Sequence, residues 1–247
     1  MAIEQVQREA ALMNLDDLIE LRQNTDQAVL PIPPGELLGR YEKLYTGLIS
    51  DVLREFCLLD QALPGSITPL RPEKTVAGFA FTVKSAPNTR ISGEMEVRTR
   101  MLTELTPDAF VMWDTTGDEN ATCWGGVMTA TALSMGVRAA CIDGGLRDTN
   151  QVLQRDFPVF YRYRGPNGSL GRCQIIDYQK PILIGTALIK PGDVVLGDID
   201  GVVVIPRGVA MKVLERAEEL KRTEDEIFSW VDNGDTVQQI TERGGYF

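Results

Sequence analysis

The sequence predicts a mixed α/β domain with a central sheet and helices outside it. Three observations carry this. From Ala109 to Tyr163 short apolar runs alternate with helical patterns, which is the layout of βαβ units. From 173 to 205 the chain reads as successive short strands separated by turn residues. Before and after these stretches, amphipathic helical patterns supply faces that can cover a sheet.

Taken in order, residues 3–24 predict a helix, with Val6, Ala10, Met13, Leu18 and Leu21 at roughly helical spacing. Pro31-Ile-Pro-Pro-Gly35 breaks it, so 1–35 reads as an N-terminal helical extension and 36–247 as the domain. A second helix is expected over about 40–57, with Leu44, Leu48, Val52, Leu53 and Phe56 on one face. Thr75 to Lys84 is β-rich, and Gly78 within it suggests a bulge or close packing. A helix over about 93–105 presents Met95, Met101, Leu102 and Leu105. Ala109 to Trp113 is a buried strand, followed by a polar loop to Cys123. Gly125-Gly126 opens a helix that ends near Met135-Gly136. The strand Arg138 to Ile142 is expected to turn sharply at Asp143-Gly144-Gly145, before a helix over 148–154 and a strand at Val159 to Tyr163. Asp193, Asp198 and Asp200 read as turn residues of the β-rich part, and a long helix spans about 207–232.

Composition narrows the chemistry. The chain has 247 residues, a net charge of -10 and no histidine. Phosphate backbones repel such a chain, so no nucleic-acid partner is expected. The densest basic cluster, Arg162, Arg164 and Arg172 with Tyr161 and Tyr163, reads as a strand end and solvated loop. No apolar run approaches the ~20 residues that span a bilayer, so no membrane role is expected. The first residues lack the basic-then-apolar pattern of a secretory signal, and Cys57, Cys123, Cys141 and Cys173 form no CxxC pair. Free thiols in a cytoplasmic protein are the expectation. The absence of histidine removes Ser-His-Asp and Cys-His catalysis and every His-ligated metal. A hard, oxygen-ligated ion stays possible.

Two segments invite a site. Gly125-Gly126-Val127-Met128 begins a helix, where free backbone amides and the helix dipole favour an anion such as a carboxylate; the glycines also fit a mere tight turn. Arg147-Asp148 follows a strand end, where ligands collect in open α/β sheets. Arg147 can bind a carboxylate or polarise a carbonyl, and Asp148 can ligate a hard metal. As a bare dipeptide the pair is more commonly a surface ion pair with an N-capping aspartate. Acids of the loop Asp114 to Glu119 could reach the same cleft.

The run Trp124 to Asp148, WGGVMTATALSMGVRAACIDGGLRD, resembles the 4-hydroxy-4-methyl-2-oxoglutarate aldolase family, which shares its fold with regulator of ribonuclease activity A proteins. Thr46-Gly-Leu-Ile-Ser-Asp51, Ala77 to Val83, and Pro191 to Pro206 resemble further motifs of that family, over about 40–230. The resemblance implies a compact αββα-type (swivelling β/β/α-like) domain assembled as a trimer or hexamer, with sites between subunits. It implies Arg147 and Asp148 as catalytic residues and Asp148 as ligand of Mg²⁺ or Mn²⁺. Glu224 from a neighbouring subunit, or else Glu226, would complete the metal's water shell. It implies that Gly125, Gly126, Val127 and Met128, with Arg147, bind the substrate, the amides of Val127 and Met128 holding a pyruvyl carboxylate. The implied activity is metal-dependent cleavage of a 4-hydroxy-2-oxo acid to pyruvate, with oxaloacetate decarboxylation. The alternatives are a non-catalytic protein-binding regulator, or a lyase or isomerase on another sugar-derived oxo acid. One departure stands out: active members usually carry Asp or Glu where this chain has Gly126, so either Asp118 or Glu119 substitutes, or metal-bound water works unaided, or the substrate differs.

Overall fold

The computed structural model describes residues 28–245, and the helix expected over 3–24 lies outside them. Helices α1 (Pro34–Tyr41) and α2 (Thr46–Glu55) open the domain. They are followed by β1 (Thr68–Pro69), β2 (Val76–Pro87), α3 (Glu94–Thr103), β3 (Ala109–Asp114), β4 (Thr122–Trp124), α4 (Gly126–Ser134) and β5 (Ala139–Leu146). Then come α5 (Thr149–Gln154), β6 (Val159–Arg164), β7 (Cys173–Tyr178), the hairpin β8 (Ile182–Ile184) and β9 (Ala187–Ile189), β10 (Val194–Asp198) and β11 (Gly201–Ile205). The long α6 (Ala210–Asp232) and the short α7 (Val237–Glu242) close the chain. Among the described residues no helix is long and apolar enough to cross a membrane.

The main sheet runs β1-β6-β5-β3-β2-β10-β11, with β4 added to β5 and β7 to β2. Strands β2, β3, β5 and β6 are parallel, as the βαβ reading requires, and β10 returns antiparallel to β2. Alternate residues of these strands face different cores. Val111, Trp113, Ala140 and Ile142 pack under α3, α4 and α5. Their neighbours Phe110, Met112, Ala139 and Cys141 point the other way, into an interior shared with Val195, Val202, Val204 and the β8–β9 hairpin. Beyond β10 and β11, Val194, Leu196, Val203 and Ile205 pack on α1, α2 and α6.

The sheet therefore curls until its two halves face each other. The clearest mark is Gly197 of β10: a Cβ there would lie 2.5 Å from the Phe160 ring of β6, a strand that is not its neighbour in the sheet. Helices, sheet half, sheet half and helices follow in layers, which is the αββα arrangement expected.

Three local expectations differ. The single helix over 40–57 is two helices, because Tyr45 is extended (φ -135°, ψ 158°). The buried carboxylate of Asp198 accepts the Thr46 amide at 2.7 Å and its hydroxyl at 2.8 Å, so α2 starts afresh there. The predicted sharp turn at Asp143-Gly144-Gly145 is absent, since β5 continues to Leu146, with a register shift against β6 between Ile142 and Gly145. Those glycines admit neighbours instead: a Cβ on Gly144 would meet Thr115 at 2.9 Å, and one on Gly145 would meet the Tyr163 ring at 2.7 Å. Finally, the polar loop after β3 contains the short β4.

Candidate active site

The end of β5 and the start of α4 meet at one point. The Arg147 amide donates to the Trp124 carbonyl at 3.0 Å, which ties the chain after β5 to the chain before α4. Asp148 then adopts a left-handed conformation (φ 53°) as the residue before α5. An N-capping aspartate would turn its carboxylate onto its own helix. This one makes no such bond; its Oδ2 accepts the Gly126 amide at 3.2 Å, at the start of α4. Arg147 Nε lies 3.6 Å from the same oxygen. Gly125 makes the approach possible, because a Cβ on it would stand 2.7 Å from Asp148 Oδ2 and 3.1 Å from Arg147 Cγ.

The first amide of α4 to find an acceptor within its own turn is that of Thr129, bonded to the Gly125 carbonyl at 3.0 Å. The Val127 and Met128 amides precede it and have no acceptor among the described residues. Both residues line a cavity of about 470 Å³ together with Gly125, Arg147 and Asp148. Free amides, a guanidinium and a carboxylate thus share one cavity, which suits a small anion with a polarisable oxygen. Gly126 does not line it. A Cβ on Gly126 would collide with the Gln151 side chain, whose Oε1 and Cβ already fill that volume.

The opposite wall holds a residue the sequence reading passed over. Arg98 of α3 is buried and lines the cavity. It donates to Glu94 Oε1 at 2.6 Å and to Ser169 Oγ at 2.9 Å, and its Nη1 faces the sulfur of Met128 at 3.4 Å. Its guanidinium also lies over the Trp113 ring. The signal was the pair Glu94 and Arg98 at helical i, i+4 spacing inside a helix read only for its apolar residues.

Other expected residues lie elsewhere. Asp114 pairs with Lys84 at 2.5 Å, and neither Asp118 nor Glu119 lines the cavity. Asp118 is buried with Oδ1 on the Asn120 amide at 2.8 Å. Asp193 holds the Lys190 amide at 2.8 Å and the Arg207 amide at 3.0 Å, a turn role as expected. Glu224 accepts the Tyr45 hydroxyl on the α6 side of the domain, and within one chain it does not join the cavity. The basic cluster is divided among internal partners: Arg162 pairs with Asp143, Arg164 lies over Tyr161, and Arg172 donates to the Gly168 carbonyl at 3.1 Å. Burial pushes the Asp143 carboxyl up, against the pull of Arg162, while burial and the nearby Asp118 push Tyr163 to about 12.

Among the described residues no three His, Cys, Asp or Glu side chains converge on one point. The cavity wall offers one carboxylate, Asp148, whose Oδ2 is engaged and whose Oδ1 has no hydrogen bond among the described residues. A single carboxylate oxygen of this kind is compatible with a hard divalent ion that keeps most of its waters.

Known proteins resemble this chain in sequence and fold. A family model described as RraA-like, Aldolase/RraA, matches residues 46–204. A curated relative from Halalkalibacterium halodurans, named "Putative 4-hydroxy-4-methyl-2-oxoglutarate aldolase", is 30% identical over 77% of this chain and 86% of its own. Protein DlpA of Legionella pneumophila is 27% identical over 78% of this chain, which spans only 31% of that relative's length. A solved structure described as novel cellulases from microbes associated with the gut ecosystem is 60% identical, with a TM-score of 0.86 over 89% of this chain and 99% of that one.

Proposed function

The chain belongs to the RraA-like Aldolase/RraA family, and from that premise we propose that it is a divalent-metal-dependent carbon–carbon lyase. Its substrate is a 4-hydroxy-2-oxo acid, cleaved to pyruvate by a retro-aldol reaction, and it also decarboxylates oxaloacetate. The observation that carries this reading is the Asp148 carboxylate turned across onto the Gly126 amide and beside Arg147, in the cavity that the free Val127 and Met128 amides share.

The residues divide the work as follows. The Val127 and Met128 amides bind the substrate carboxylate at the positive end of α4. Arg147 donates to the 2-oxo oxygen, and its fork holds that oxygen in the plane of the carboxylate. Asp148, steadied by the Gly126 amide, would hold Mg²⁺ or Mn²⁺. When bound, such an ion stabilises the negative charge that builds on the 2-oxo oxygen as the carbon–carbon bond breaks. Gly126 brings no acid and Gln151 fills its space, so water in the cavity moves the proton.

The partner is a small 2-oxo acid, and the protein acts as a trimer or hexamer. Val127, Met95 and Leu170 at the cavity are 77%, 59% and 48% exposed, which supports a neighbouring copy covering them and bringing Glu224 to the ion. Glycoside hydrolysis, suggested by the description of the 60% identical structure, draws less support. It uses two carboxylates flanking the bond, and the cavity wall of one chain supplies Asp148 alone.

The test is pyruvate release from a panel of 4-hydroxy-2-oxo acids and oxaloacetate, with Mg²⁺ or Mn²⁺ and with EDTA. Turnover that EDTA stops and Asp148→Ala abolishes is expected. No pyruvate from any of them sinks the proposal, and metal-independent capture of a protein partner would then favour the regulator.

A further inference from the structure

We propose that Cys123 and Cys173 form a reversible dithiol–disulfide pair, an oxidation site built into the cavity wall. Cys123 lies in β4 and Cys173 opens β7; their sulfurs are 3.4 Å apart across a sequence separation of 50. Both are buried, and Cys123 lines the cavity. Cys57 is exposed, and Cys141 packs in the interior of the curled sheet.

A disulfide needs about 2.05 Å between sulfurs, so the pair must close by roughly 1.4 Å. Both residues are packed in the core under α3 and α4, so closing the gap has to draw on local backbone irregularity. The β4–β5 pairing is irregular between Thr122 and Trp124, and the Cys173 amide hangs from the Ser169 carbonyl at 2.9 Å, at the end of a turn. Cys123 faces the cavity and Cys173, 3.4 Å from it, does not, so a small oxidant reaches Cys173 past the Cys123 sulfur. Ionisation is also eased: the Cys123 hydrogen bond and the Arg98 guanidinium hold the Cys173 thiol below its ordinary range, against burial.

Hydrogen peroxide is the chemical class of oxidant this site fits. The Cys173 thiolate attacks one peroxide oxygen, the O–O bond breaks, and a water leaves once it has gained a proton. The resulting sulfenic acid is then attacked at sulfur by Cys123, whose thiol proton leaves with the displaced hydroxide as a second water. Two thiols and one peroxide give one disulfide and two waters. The bond pins the Ser169–Cys173 turn, which holds Arg98 through Ser169, to the strand that leads into Gly125. Its effect on turnover rests on the proposed function; formation of the bond does not.

The experiment exposes the full chain to hydrogen peroxide, blocks free thiols under denaturing conditions and reads intact mass and a non-reduced peptide map. The expected product is a single chain carrying two blocking groups where the reduced chain carries four, and lighter by two hydrogen atoms once those groups are subtracted. A peptide joining 123 to 173 should appear and vanish with dithiothreitol. The oxidised form should melt higher by on the order of 5–10 °C. Cys57→Ser must keep the cross-link, while Cys123→Ser and Cys173→Ser must each lose it. Four thiols left intact, oxygen added to sulfur without a cross-link, or a dimer linked through Cys57 with no peptide joining 123 to 173 would each overturn the proposal, whether or not the protein proves to be a lyase.

Discussion

Gly125→Ala isolates the geometry of the site from the stability of the fold. Gly125 is extended (φ -170°), a conformation alanine also adopts, so the backbone should tolerate the change. The new Cβ would stand 2.7 Å from Asp148 Oδ2, where ordinary contact begins at 3.4 Å. The carboxylate must retreat by about 0.7 Å. If it moves directly away, its 3.2 Å hydrogen bond to the Gly126 amide stretches beyond hydrogen-bonding range. Misplacement on this scale costs on the order of 10²-fold in kcat/KM. Overpacking at a half-open site should cost no more than about 1–2 kcal/mol of stability. The assay is pyruvate release on the best substrate of the panel, beside a thermal melt. Gly65→Ala is the control, since a Cβ there meets nothing within 4 Å. Full kcat/KM in Gly125→Ala would show that the Asp148–Gly126 contact does not set the chemistry.

Three further outcomes follow from the packing. Arg98→Met leaves Glu94 buried without its counter-charge, held only by the Ile175 amide at 3.1 Å, and should cost about 3–5 kcal/mol in urea unfolding, with Glu94→Gln in the same chain recovering part of it; an effect below about 1 kcal/mol would mean the pair is already solvated. Arg40 donates to both Glu218 oxygens at 2.7 and 2.5 Å and holds that carboxyl below its ordinary value of 4.5. Its contribution is therefore full above about pH 4.5 and lost as pH falls through the depressed pKa, so Glu218→Gln should cost about 1 kcal/mol at pH 7 and flatten the acid limb of the stability profile. Identical acid limbs in the two proteins would refute it. Gly197→Ala should destabilise by roughly 1–3 kcal/mol through its clash with Phe160, and Phe160→Leu should relieve it; strictly additive losses would argue against the curled sheet.

Much of this was legible because it rests on local chemistry. The parallel strands announced themselves as short continuous apolar runs, since both faces of β3 and β5 are buried. Gly125-Gly126 and Arg147-Asp148 could be paired through their motif, and the fold does bring them together. What stayed hidden depends on distant partners. Asp143-Gly144-Gly145 mimics a turn, but its glycines answer to Thr115 and Tyr163 on other strands. Asp198 splits the helical stretch read over 40–57 from more than a hundred residues away. The helix α7 is a different kind of miss: Thr236 and Gln239 form a capping box that the spacing alone could have shown.

The volume shared by Gly126 and Gln151 constrains how this sequence can change. A Cβ at 126 would stand 2.3 Å from Gln151 Oε1 and 3.0 Å from its Cβ, so the glutamine must swing away and α5 give slightly before 126 can carry a side chain. The two positions therefore form one mutational unit. An acid introduced first at 126 passes through a chain with a displaced α5, whereas shortening Gln151 first, to alanine, opens the room at little cost because that side chain is exposed. The order of substitutions decides whether a lineage or an engineer can place a proton donor there. Sequences that carry an acid at this point of the fold should pair it with a small residue one turn into the following helix.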